Sequence, residues 1–97
     1  MKSEYSYERH IFKRYGLSVE QVNEKRKSQS YRCAICRDVF RKTPHIDHCH
    51  RTNKVRGLLC VKCNLMLAGA DDRLSVLRSG IAYLLKWHKL DKMNDGV

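Results

Sequence analysis

Two identical short runs, Cys33-x-x-Cys36 and Cys60-x-x-Cys63, constrain this chain more than any other feature. Two residues between cysteines let both thiolates face one ion from a tight turn. Two such turns complete a tetrahedral four-sulfur zinc site. The chain has 97 residues, a size at which a hydrophobic core alone is marginal and a metal or disulfide staple is often required. Cysteines number five, which is odd, and the opening "MKSEYSYERH" lacks the apolar run of a secretory leader. A reducing, cytoplasmic setting is therefore expected, where cysteines more often hold metal than pair as disulfides. No segment approaches the ~18–20 apolar residues of a membrane span, so no membrane partner is expected. A closed site of four thiolates offers no open position to a substrate. Its expected role is structural, with one zinc ion per chain whose binding energy becomes folding energy.

Charge enters next, because it clusters with the cysteines. The formal net charge is +10. Residues 1–32 carry eight Lys/Arg against four Asp/Glu, residues 33–64 seven against two, and residues 65–97 five against four. The excess is thus +4, +5 and +1 along the chain. Zinc with four thiolates contributes −2, leaving the loaded protein near +8. A basic domain of this kind is suited to a polyanionic partner, most simply nucleic acid. The central excess disfavours a zinc adaptor that binds only proteins.

The expected architecture is one domain over residues 1–97. It comprises a helical N-terminal extension (1–30), a zinc-bound core (31–70), a C-terminal helix (71–90) and a polar tail (91–97). Tyr7, Ile11, Phe12 and Tyr15 recur at helical spacing, and Gly16 stops that helix. Ser18-Val19-Glu20-Gln21 fits a capping box opening a second helix to about Gln29. "YRCAIC" reads as a knuckle, "TPHID" and "VRGLLC" as short strands, and Asn53 suits a left-handed turn between them. A helix is expected to start beyond Cys63 and end at Gly69. Asp71 or Asp72 then caps a last helix whose stripe of Leu74, Leu77, Ile81, Leu84 and Leu85 is expected to be core.

With zinc satisfied by four cysteines, the run "HIDHCHRTNK" is left over. Asp47 and His48 lie toward the end of the first strand, and Asn64 directly follows the last zinc ligand at a helix start. A hairpin from Thr43 to Cys60 folded onto that helix brings a carboxylate, an imidazole and an amide together. Strict strand alternation, however, points Asp47 and His48 to opposite faces, so a bend near Asp47 is required.

The run "CAICRDVF...HIDHCHRTNKVRGLLCVKCNLMLAG", with "RYGLSVEQ" upstream, resembles the recombination endonuclease VII family. That family is a branch of the HNH (ββα-metal, His-Me finger) nucleases. The resemblance extends over roughly Tyr15 to Asp72. It implies a small zinc-stapled α+β domain in which a ββα-metal motif is flanked by N- and C-terminal helices. It implies a metal-dependent DNA endonuclease, of phage or prophage origin, acting in a bacterial or phage-infected cell. Asp47 and Asn64 would hold a catalytic Mg²⁺ or Mn²⁺, His48 would be the general base, and His50 would contact the scissile phosphate. Arg51, Lys54 and Arg56 would contact the DNA backbone. The family turn usually carries glycine where this chain has Asn53, and Cys49 stands at a variable position as a bystander thiol. His45 has no family role and is expected to face solvent or DNA. The short C-terminal region implies a monomer or weak homodimer that mainly nicks duplex or branched DNA. A dimeric Holliday-junction resolvase and a non-catalytic zinc module that only binds nucleic acid are the alternatives.

Overall fold

The computed structural model describes residues 6–88; the tail expected from Asp91 lies outside them. The chain divides into two compact units, one ending at Asn64 and the other beginning at Leu65. The elements in order are α1 (Tyr7–Tyr15), α2 (Val19–Ser28), β1 (His45–His48), β2 (Val55–Leu59), α3 (Val61–Gly69) and α4 (Leu74–His88).

Local signals set the first two helices. The Ser6 hydroxyl accepts from Arg9 N–H at the start of α1, and Gly16 ends the helix in the left-handed region at φ 72°. A glycine adopts that conformation without the Cβ clash other residues meet. At α2, Ser18 Oγ accepts from Gln21 N–H (3.1 Å) and Gln21 Oε1 accepts from Ser18 N–H (2.8 Å). This is the reciprocal capping box expected from the sequence. Tyr7, Ile11 and Tyr15 fall on one face of α1 and pack inward, whereas Phe12 is left exposed.

The core of the first unit is small. Ile11 from α1, Val22 from α2 and Leu58 from β2 are its fully buried members, with Tyr7, Tyr15, Leu17, Val19, Phe40 and Ile46 packed around them. β1 and β2 pair antiparallel, with Ile46 opposite Leu58. The outer edge of β2 would expose backbone groups, and two residues take up those of Leu58. Gln29 accepts from Leu58 N–H through Oε1 (2.9 Å) and donates to Leu58 O through Nε2 (3.1 Å). Ala34 N–H also donates to Leu58 O (3.2 Å), which ties the first cysteine knuckle to the strand. Gly57 allows the close approach of Gln29, since a Cβ there would lie 3.3 Å from Oε1. Gln29→Ala strands a buried N–H, so it is expected to lower stability by about 1–3 kcal/mol. Thermal or urea denaturation measures this. A midpoint equal to wild type would remove Gln29 from the supports of the fold.

Three expectations are corrected. α3 starts at Val61, ahead of Cys63, so the second knuckle is carried on the first helical turn. α4 starts at Leu74, and Asp71 and Asp72 take left-handed backbone at φ 57° and 60° in the preceding turn. The cap position is therefore Arg73. Most consequentially, α4 has no buried residue: Leu74, Ile81, Leu84, Leu85 and Trp87 are all more than half exposed. An apolar stripe records that a helix face favours burial, not what buries it. Among the described residues of its own unit, α4 is accompanied only by the end of α3.

Candidate metal centre and the Asp47–His50 segment

The four knuckle cysteines come together. Their sulfurs all lie within 4.8 Å of one another, and Cys36 Sγ stands 3.8 Å from Cys60 Sγ. Zinc–sulfur bonds of ~2.3 Å in a tetrahedron set sulfurs ~3.8 Å apart, so the donor set and spacing fit a zinc ion. The first knuckle orients its own ligands: Ile35 N–H points to Cys33 Sγ at 3.4 Å and Asp38 N–H to Cys36 Sγ at 3.5 Å. Cys33 and Cys63 are buried, while Cys36 is exposed.

The protons of this cluster are unequally held. Burial pushes the Cys33 thiol up, but N–H groups of Cys60, Cys36 and Ile35 and the Cys63 thiol outweigh it and bring Cys33 down to about 6. Burial, followed by the neighbouring sulfurs and the Cys33 charge, pushes the Cys63 thiol up to about 12. One thiolate thus forms readily and opposes the next. A dication removes that opposition, which is the electrostatic reason such a cluster binds metal.

Cys49 is not one of the cluster. Its N–H donates to Lys54 O (2.8 Å), and its carbonyl accepts from Asn53 N–H (2.7 Å), closing a tight turn. Asn53 occupies the left-handed region at φ 66°, as the turn requires. Hydrogen bonding from the Thr52 side chain and from the Thr52 and Arg51 N–H groups draws the Cys49 thiol down to about 7.

Asp47 and His48 are adjacent on β1, and the pairing breaks between them. Asp47 lies opposite Gly57, but His48 lies opposite Val55, so Arg56 is an extra residue on β2. The extra residue bulges β2 opposite the Asp47–His48 step. His48 and His50 make a tilted ring contact with centroids 4.7 Å apart and planes 48° from parallel. His48 also meets the Tyr15 ring of α1 at 5.6 Å, and the Arg14 guanidinium lies 5.5 Å from the Tyr15 ring centre. Asn64 is the fourth residue of α3, its N–H bonded to Cys60 O at 3.0 Å. Among the described residues, no hydrogen bond joins Asp47, His48 and Asn64. Nor does a second group of three or more His, Cys, Asp or Glu donors gather at ligand distance. Arg51 and Lys54 are exposed in the turn, and His45 is exposed at the start of β1.

Arg56, expected with Arg51 and Lys54 to contact the DNA backbone, has a partner within the chain. It grips Asp47 side-on, Nε to Oδ2 at 2.7 Å and Nη2 to Oδ1 at 3.0 Å. Neither this pairing nor the Tyr15–His48 contact has a signal in the sequence. The first depends on a bulge, the second on how α1 packs against a strand some thirty positions away.

The family model described as recombination endonuclease VII matches residues 8–86. The Gene 59 protein of Mycobacterium phage D29 is 39% identical over 88 residues, covering 88% of this chain and 53% of that protein. The Gene 59 protein of Mycobacterium phage L5 is 36% identical over 87 residues, covering 87% of this chain and 53% of its own length. The chain thus spans about half the length of these relatives. No solved structure matches it significantly. No helix among the described residues is long and apolar enough to cross a membrane. The match takes in both cysteine knuckles, the hairpin between them and most of α4, and by it the chain belongs to the recombination endonuclease VII family.

Proposed function

We propose that this protein is a metal-dependent DNA endonuclease of the HNH, ββα-metal type. The observation that supports this reading most is local. Asp47 and His48 lie on β1 of a hairpin whose second strand runs directly into Cys60 and then α3, which carries Cys63 and Asn64. Zinc on the four cysteines is structural, because four thiolates leave no open position. A carboxylate on Asp47 and an amide oxygen on Asn64 are the donor types that a hard dication takes, with water and phosphate filling the remaining positions. When bound, Mg²⁺ or Mn²⁺ there supplies charge neutralisation at the phosphate and the leaving oxygen.

The remaining work belongs to the chain. His48 accepts a proton from the attacking water through an imidazole nitrogen. Its contacts with the Tyr15 and His50 rings restrict the plane in which that nitrogen can point. His50, the more exposed of the pair, faces the scissile phosphate. Arg51 and Lys54 hold the DNA backbone, so binding weakens steeply as salt rises. The phage relatives support action inside a phage-infected host cell.

One base and one catalytic metal hydrolyse one strand per encounter, so a monomer or weak dimer nicks duplex or branched DNA. A second reading, a junction resolvase with two sites related by two-fold symmetry, is favoured by the exposed apolar residues of α4.

Supercoiled plasmid incubated with zinc-loaded protein, with and without Mg²⁺ or Mn²⁺, tests the assignment. Relaxed, nicked product that appears only with the added cation is expected. Protein that binds the plasmid yet leaves it supercoiled at every cation level is the non-catalytic alternative. Sedimentation run alongside distinguishes the two enzymatic readings: a tight dimer that yields linear product without a nicked intermediate is the resolvase.

A further inference from the structure

Asp47 carries a partner that hydrolysis does not require. The Arg56 guanidinium engages both carboxylate oxygens in the side-on geometry, at 2.7 and 3.0 Å. The pair is partly shielded, with the Asp47 side chain only 12% exposed and that of Arg56 39%. Such bidentate, charge-assisted contacts are stronger than ordinary hydrogen bonds. They place a full positive charge where a dication would have to approach the same carboxylate. Chain geometry makes the arrangement specific. Arg56 is the extra residue of β2, set between the Asp47–Gly57 and His48–Val55 register pairs. A bulge re-aims the side chain it carries, and here it turns a cation onto the first strand's carboxylate.

We propose that Arg56 is a charge latch on Asp47: it holds the carboxylate while no DNA is bound, and a DNA phosphate draws it away and opens Asp47 to the divalent cation. The inference rests on the reading above that Asp47 is a ligand of that cation. A phosphate offers the guanidinium the same bidentate acceptor pattern as a carboxylate, so the exchange preserves its hydrogen bonds. Cation and DNA then bind cooperatively, each raising affinity for the other by the same factor. The latch keeps the site weakly loaded away from DNA. Arg56 is accordingly a positioning residue for the cation and a phosphate contact in the complex.

The test measures Mn²⁺ binding by the zinc-loaded full chain, through the electron paramagnetic resonance signal of free Mn²⁺. It is done with and without a short duplex oligonucleotide, in a His48→Ala background so that the DNA stays intact. Without DNA, Arg56→Met is expected to bind Mn²⁺ about tenfold more tightly, within the usual range of coupling between two ligands. The gain in Mn²⁺ affinity that DNA confers should largely disappear in this variant and partly return in Arg56→Lys. Asp47→Asn corrects for Mn²⁺ condensed on the DNA itself. A direct readout on the unaltered side chain is the Arg56 Nε–H resonance, expected to move when DNA and Mg²⁺ are added together and far less with Mg²⁺ alone. Unchanged Mn²⁺ affinity and unchanged coupling in Arg56→Met overturn the latch while leaving the metal site intact. Wild-type Mn²⁺ binding by Asp47→Asn overturns the site itself, and the latch with it.

Discussion

Replacing Cys60 by serine is expected to unfold the first unit of this protein. Little else holds that unit together. Its fully buried cluster is Ile11, Val22 and Leu58, and each such side chain contributes about 1.5–3 kcal/mol when buried. A structural zinc contributes about 10–16 kcal/mol at neutral pH, delivered as folding energy because the unfolded chain has no preformed site. Cys60 directly follows β2, whose Leu58 is at once core residue and backbone partner of Gln29 and Ala34. Losing its thiolate therefore releases the second knuckle, the end of the strand and the first knuckle together. Cys60→Ser should lack a cooperative thermal transition, and chelation of wild type should produce the same loss. Metal analysis of wild type should find one zinc per chain, and Cys49→Ser should keep it. A Cys60→Ser protein that melts within a few degrees of wild type would show that the sulfur cluster is not the staple.

The second large effect is on rate rather than stability. His48→Ala is expected to fold, retain zinc and bind DNA, yet cleave roughly 10²–10⁴-fold more slowly, the usual contribution of a positioned general base. Its structural cost should be small. The side chain is only half-buried and contributes two tilted ring contacts, with Tyr15 at 5.6 Å and His50 at 4.7 Å. Ring pairs of this kind are worth about 0.5–1.5 kcal/mol each. Circular dichroism, zinc content and DNA affinity thus serve as controls for single-turnover cleavage measured across Mg²⁺ concentrations. Near-wild-type cleavage by His48→Ala removes it from the mechanism.

Residues close in sequence told most about this chain, because their interactions are settled within a turn or two. Cys-x-x-Cys spacing is a property of one tight turn. The convergence of all four sulfurs within 4.8 Å was legible from two such turns alone. The capping box of Ser18 and Gln21 spans three residues, and the left-handed backbone of Asn53 lies within a single turn. The order of strand, strand and helix between Thr43 and Gly69 also followed from short apolar runs, with α3 starting at Val61 rather than beyond Cys63. Tertiary structure alone decided the rest. A one-residue slip in register put Arg56 on a bulge and against Asp47, and nothing near Arg56 in the chain encodes which strand residue it will meet. Gln29 became the partner of β2's outer edge because the end of α2 arrives there, 29 positions from Leu58. Tyr15 reached His48 only through the packing of α1 against the hairpin. The stripe on α4 was visible as a pattern, yet its exposure was not, since periodicity specifies a face and only the arrangement of neighbouring elements determines whether that face is covered.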